Sequence, residues 1–186
     1  MELPTDRLLL RRWRHDDADR VLDLYRRLEV VRWLGDGPPR PMASLDQAQA
    51  AVDRWTQRSA SPPLGFWAAE VRDEGPLQGR VAGTVLLAEL PHSEHDEHEG
   101  RPEVEIAWHF HPDAWGQGFA TEAAAALLAH GFATGLPRVW ALTHLDNAAS
   151  QRVCGRIGLR HVGREQPWYD VPMEVYRLTL EEYAGR

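Results

Sequence analysis

From Glu103 to Phe110 the chain alternates without a slip. Val104, Ile106, Trp108 and Phe110 fall on one side of the pattern, and Glu103, Glu105, Ala107 and His109 on the other. A period of two over eight residues predicts a strand with one face in a core and the other toward polar surroundings. Similar runs predict strands over Leu8 to Arg12, Gly65 to Arg72, Arg80 to Leu90, Val139 to Leu142, Leu159 to Arg164 and Glu174 to Leu180. The Gly65 and Arg80 strands flank Asp73-Glu74-Gly75-Pro76, which reads as a hairpin turn. Helical spacing places Val21, Leu24, Tyr25 and Leu28 on one face behind a cap at Asp16 or Asp17. It also places Ala48, Ala51, Val52 and Trp55 behind a Ser44/Gln47 capping box. Further helices are expected from Phe119 to about Thr134 and over Asn147 to Ile157; Gly35 to Pro41 and Ser59 to Pro63 read as loops. The order β-α-α-β-β-β-α-β-α-β-β predicts an α+β fold, a mixed sheet with helices packed on it. The connections through the two later helices are expected to be right-handed parallel crossovers. No repeat or linker divides the chain, so residues 1–186 read as a single domain.

Between the Glu103 strand and the alanine-rich helix stands Trp115-Gly116-Gln117-Gly118-Phe119-Ala120-Thr121-Glu122-Ala123. A strand that turns through glycines into a helix N-terminus aims several free N–H groups one way, and the helix dipole adds partial positive charge. Gly116 and Gly118 let a ligand approach the backbone closely. The turn suits the pyrophosphate of a nucleotide-like cofactor. Taken alone, it is equally an ordinary glycine-rich strand-to-helix turn.

Composition narrows the class. A length of 186 residues with 43% hydrophobic and 26% charged residues fits a soluble globular chain with a sizeable core. No apolar run is long enough to span a bilayer, the N-terminus lacks a signal peptide's apolar core, and the lone Cys154 excludes an internal disulfide; a cytoplasmic protein without a membrane partner is expected. The net charge of −7 argues against nucleic acid as a partner and is compatible with a cationic amine. His92, His95 and His98 stand among Glu94, Asp96, Glu97 and Glu99. Such a set could ligate a metal, but the spacing of three suits neither strand nor loop geometry in particular; an exposed acidic loop and no metal site are expected.

Three motifs resemble one family. Thr5-Asp6-Arg7-Leu8-Leu9-Leu10-Arg11 is similar to an opening T-x-R-L-x-L-R. Pro112-x-x-Trp115-Gly116-x-Gly118-Phe119-Ala120-Thr121-Glu122-Ala123 is the second. Asn147-x-x-Ser150-x-x-Val153-x-x-Arg156-x-Gly158-Leu159-x-x-x-Gly163 is the third. Together they resemble the GNAT superfamily of acetyl-CoA-dependent N-acetyltransferases, and within it the RimJ/RimL branch of ribosomal-protein N-terminal acetyltransferases. The resemblance covers nearly the whole chain.

It implies a mostly antiparallel sheet whose fourth and fifth strands, here Glu103 to Phe110 and Val139 to Leu142, splay apart around the pantetheine arm of coenzyme A. Backbone N–H groups across Trp115, Gly116, Gln117, Gly118, Phe119, Ala120 and Thr121 would hold the pyrophosphate, although Trp115 stands where the superfamily has Arg or Gln. Thr121 could instead serve only as a helix-start hydroxyl. The backbone of Trp108 and Phe110 would pair with the pantetheine amides. Asn147 would bond the coenzyme, and Ser150 would donate a proton to the departing thiolate in place of a tyrosine found four residues further on, where this chain has Cys154. Both residues are also favoured caps. Cys154 reads as a small buried residue. Gly155 stands where the branch has Glu. The amine must lose a proton before or during attack. Glu105 matches the branch's strand-four glutamate and is the expected base, with Glu103 assisting and His109 as a further candidate. Trp168 and Tyr169 would shape the acceptor pocket, or serve equally as core or surface packing. The implied reaction is direct transfer of acetyl from acetyl-CoA to a primary amine on a protein N-terminus, an amino sugar or antibiotic, or a small metabolite. Transfer of a larger acyl group and a non-catalytic acyl-CoA sensor are the alternatives, and a homodimer is compatible with either.

Overall fold

The computed structural model describes residues 2–35, 37–59, 61–90, 103–165, 168 and 171–186. Its strands are β1 Leu3–Pro4, β2 Leu8–Arg12, β3 Gly65–Val71, β4 Val81–Glu89, β5 Val104–Phe110, β6 Arg138–His144, β7 Arg160–Glu165 and β8 Met173–Thr179. They form one sheet in the order β1-β2-β3-β4-β5-β6-β8-β7. The β5/β6 pair is parallel, and the other neighbours are antiparallel. The α-helices among the described residues are α1 Ala18–Tyr25, α2 Leu28–Val31, α3 Leu45–Arg58, α4 Phe119–Ala133, α5 Ala148–Arg156 and α6 Leu180–Ala184. The expected mixed, mostly antiparallel sheet flanked by helices is therefore what forms.

The two faces of the sheet hold separate cores. Val85 and Leu87 of β4, with Ile106 and Phe110 of β5, pack against Leu127, Leu128 and Phe132 of α4. Leu86 and Ala88 face the other way, toward Val21 and Leu24 of α1 and Ala51 and Val52 of α3. Covering on both sides explains why β4 reads as an unbroken apolar run while β5 alternates.

The first helix departs from expectation. Its apolar spacing was extended to Leu28, but α1 stops at Tyr25 and Leu28 is 56% exposed. Continuing α1 would leave Val31 near the core face, seven residues after Leu24, but turn Val30 away from it. Arg27 goes extended instead, and α2 restarts in a phase that buries both valines. Asp17 does not cap α1. Its carboxylate accepts from the Arg14 N–H at 2.8 Å and from the Arg11 guanidinium at 2.7 and 2.8 Å. Ser44 does cap α3, accepting from the Gln47 N–H at 3.3 Å.

Gly155 sits within α5 with nothing within 4 Å of where a Cβ would stand. Its flexibility serves no contact there. Gly155→Ala is expected to raise the unfolding free energy by about 0.5–1 kcal/mol, measured by urea denaturation.

Candidate active site

The central opening follows from strand register. β4 and β5 pair from Gly83/Phe110 to Glu89/Val104, whereas β5 and β6 share one aligned pair, Glu105 with Trp140. Beyond that pair the two parallel strands part. A cavity of about 930 Å³ fills the gap and reaches both faces of the sheet. On the α4 side its lining includes Trp108, Trp115, Gly116, Gly118, Thr121, Asn147 and Ser150. On the α1–α3 side it includes Trp33, Phe66, Leu86, Glu105, Ala107 and His109.

Alternation along β5 decides which amides line the split. The His111 N–H donates to Ala82 at 2.9 Å, and Glu103 C=O accepts from Leu90 at 2.8 Å, both toward β4. Residues of that parity spend their backbone groups on β4, so Trp108 and Phe110, beyond the last β5/β6 bonds, present theirs to the split. The Phe110 carbonyl is already taken, accepting at 2.7 Å from the Trp115 indole N–H. Trp115, half exposed, thus ties the glycine turn to the end of β5.

The turn itself is built for an anion. Gly118 holds φ +82° and forms the N-cap of α4, and Gly116 holds φ +76°, a region that side chains with a Cβ rarely enter. The N–H groups of residues 116 to 121 donate to no backbone or side-chain acceptor among the described residues. The Thr121 hydroxyl likewise caps nothing there, since Gly118 holds the cap position. These free donors, the open space at Gly116 and the helix terminus suit a pyrophosphate, so the residues present fit coenzyme A.

A network not expected from the sequence anchors this turn. Glu122 accepts from the Thr5 hydroxyl at 2.6 Å, the Arg7 N–H at 2.7 Å and Arg7 Nε at 2.8 Å. Arg7 also donates to the Gln117 carbonyl at 2.9 Å and lies 4.8 Å from the Phe119 ring centroid. The first and second sequence motifs are therefore two halves of one structural lock. These bonds hold the Glu122 carboxyl below the usual carboxylate range against the opposing effect of burial.

Asn147 is the N-cap of α5; its Oδ1 accepts from the Ser150 N–H at 3.2 Å. Ser150 is not a cap. Its hydroxyl borders the cavity and bonds no described residue. Cys154 is buried, and loss of hydration pushes its thiol up to about 12, which suits a packing residue.

The two glutamates of β5 separate. Glu105, half-buried beside the last aligned pair, lines the cavity. Glu103, expected beside it as assistant, is buried and held elsewhere. It accepts from Arg138 Nε and the Trp140 indole N–H, each at 2.8 Å, and pairs with the second Arg138 nitrogen. A carboxylate already engaged by a guanidinium is a poor proton acceptor. Trp168 is buried against Trp140, with ring centroids 5.0 Å apart. It is not among the residues lining the cavity and takes the core-packing role, the other of the two expectations. Tyr169 and the 92–100 histidine-rich loop lie outside the described residues. No group of metal-ligating side chains occurs among the described residues, and no helix among them is long and apolar enough to cross a membrane.

The family model for the acetyltransferase (GNAT) domain matches residues 7–160. The chain belongs to this family. Uncharacterized N-acetyltransferase YoaA of Bacillus subtilis is 29% identical over 162 residues, 87% of this chain and 84% of that one. The FsC-acetyl coenzyme A-N(2)-transacetylase of Aspergillus fumigatus is 30% identical over 191 residues, 97% of this chain and 77% of that one. Among solved structures, RimL, a ribosomal L7/L12 α-N-protein acetyltransferase in complex with coenzyme A, superposes with a TM-score of 0.76 at 16% identity, covering 98% and 99% of the two chains. That likeness is one of fold. As a GNAT acetyltransferase, the chain is an acyltransferase with acetyl-CoA as its donor and an amine as its acceptor.

Proposed function

We propose that the protein transfers acetyl from acetyl-CoA directly to a primary amine, and that it belongs with the RimJ/RimL-type enzymes. The observation that carries this reading is the through-sheet cavity, which joins a free-amide helix terminus on one face to Glu105 on the other. The three RimJ/RimL-like motifs support the branch.

Acetyl-CoA supplies an activated thioester. The amides of residues 116 to 121 hold its phosphates through charge-assisted hydrogen bonds. The Trp108 N–H and C=O pair with the pantetheine arm as a neighbouring strand would, and the Asn147 side-chain amide, whose oxygen caps α5, offers its N–H₂ to the same arm. Glu105 takes a proton from the ammonium, directly or through one water, so that a neutral amine attacks. As the C–N bond forms and the C–S bond breaks, the Ser150 O–H donates its proton to the departing sulfur and is reprotonated by the proton that the new amide nitrogen sheds. Glu103, bound to Arg138, holds β5 against β6 instead of sharing the base role. The amine and the donor are bound together, and no acyl group is carried on the protein.

A thiol-release assay with acetyl-CoA tests this against N-terminal peptides, aminoglycosides, polyamines and amino acids. At least one amine is expected to release coenzyme A and gain an acetyl group. Silence across the panel with coenzyme binding intact overturns the proposed transfer.

A further inference from the structure

His109 is the one polar β5 residue on the Glu105 face that the proposed mechanism leaves unused. It stands directly across from Thr84 of β4. Tyr25 of α1 bridges them: its hydroxyl is 2.8 Å from Thr84 Oγ1 and 3.0 Å from His109 Nδ1. The Tyr25 and His109 rings meet edge to face, with centroids 5.8 Å apart and planes at 86°. Trp55 packs on Tyr25 at 5.4 Å and fixes it from the other side. Thr84 is fully buried and Tyr25 nearly so, while His109 is half-buried and lines the cavity. Its Nε2 bonds no described residue and is not sealed inside the core.

Proton accounting fixes the direction of this chain. A neutral imidazole has one donor nitrogen and one acceptor nitrogen. If Nδ1 carried the proton, Tyr25 would donate to Thr84, and the Thr84 O–H would be buried with no acceptor among the described residues. An unsatisfied buried donor is costly. In the opposite arrangement every buried proton is used: Thr84 donates to Tyr25, Tyr25 donates to Nδ1, and Nε2–H is left for the cavity that His109 lines. Burial favours the uncharged ring, bringing its pKa down to about 4.

We infer that His109 is a specificity-determining residue: Tyr25 and Thr84 lock it as a neutral Nε2–H donor that receives an oxygen of the acceptor amine. The acceptor class is accordingly an amine with a nearby carbonyl or hydroxyl oxygen, such as an α-amino carbonyl compound, and not a plain alkylamine or polyamine. His109 is not a base in this arrangement, because its accessible nitrogen already holds a proton. The acceptor class rests on the amine-transfer reading above; the tautomer does not.

The test is ¹⁵N NMR of histidine-labelled protein with coenzyme A present, the His109 signal being assigned by its loss in His109→Asn. Alaninamide and 3-methylbutan-2-amine, which replaces the amide by an isopropyl group, are the two probes. The expected spectrum shows the Nε2–H tautomer, shifted by alaninamide and not by the alkylamine. In parallel kinetics Tyr25→Phe is expected to raise KM for alaninamide on the order of 10-fold, with kcat and the KM for acetyl-CoA near wild type. An Nδ1–H tautomer, or equal responses to the two amines, overturns the proposal. Because the spectrum reads binding without turnover, failure of acetyl transfer leaves this result separately legible.

Discussion

Glu105→Gln is expected to lower kcat/KM for the amine by about 10²–10⁴-fold, the range that a positioned proton acceptor contributes. The substitution keeps the shape of the side chain and removes its basicity. Since Glu105 occupies the last aligned β5/β6 position and lines the cavity, the change acts where the amine must be deprotonated. The KM for acetyl-CoA should stay near wild type, because the amides proposed to hold its phosphates lie on the opposite face of the sheet. Raising the pH supplies more neutral amine, so the deficit should shrink toward the acceptor's own pKa. Steady-state rates between pH 7 and 10 check both statements. A variant that keeps wild-type kcat/KM at pH 7 removes Glu105 from the mechanism. Glu103→Gln provides the contrast. Its carboxylate is bound to Arg138 and Trp140, so that change should cost stability and spare the pH profile.

Glu122→Ala is expected to destabilise the fold by about 1–2 kcal/mol, the scale for leaving the partners of a part-buried charged hydrogen-bond acceptor unpaired. For a chain of this size that is a fall in Tm of roughly 2–8 °C. Three donors from the N-terminal segment, the Thr5 hydroxyl, the Arg7 N–H and the Arg7 guanidinium, lose their acceptor together. The same change loosens the start of α4, so KM for acetyl-CoA should rise at temperatures where the variant is still folded. The linkage has a definite sign. The carboxyl is held below its ordinary range, so its contribution is complete at neutral pH. It is lost as the pH falls through the lowered value. The Tm difference between wild type and variant, measured by calorimetry from pH 7 to 3, should therefore narrow at the acid end. A difference that stays constant would assign the loss to packing alone.

What the sequence revealed follows from how local each signal is. The β5 alternation and the glycine turn are short-range patterns, and both are realised within a residue or two. The end of α1 was misplaced because spacing alone cannot distinguish one helix from two helices out of phase. Glu105 and Glu103 share a face of one strand and are equivalent by pattern. They separate because Arg138 and Trp140, some 35 residues on, engage Glu103. The Thr5–Arg7–Glu122 lock was present as two motifs, yet nothing local says that residues 115 or more apart meet. Trp115 stood where an arginine or glutamine was expected. Its use as a brace to the Phe110 carbonyl depends on a tertiary distance. Likewise His109 reads as a lone histidine until Tyr25 and Thr84 are seen around its Nδ1.

The single aligned pair between β5 and β6 has a mechanical consequence. The sheet is in effect two plates, one of five strands and one of three, joined at Glu105/Trp140. Joined at one end of the slot only, the two plates leave its far end without backbone bonds between them. A chain-like molecule that enters the slot and bonds backbone on its walls becomes a keystone, turning two plates into one continuous sheet. Occupancy should therefore stiffen the whole protein, well beyond the residues that touch the ligand.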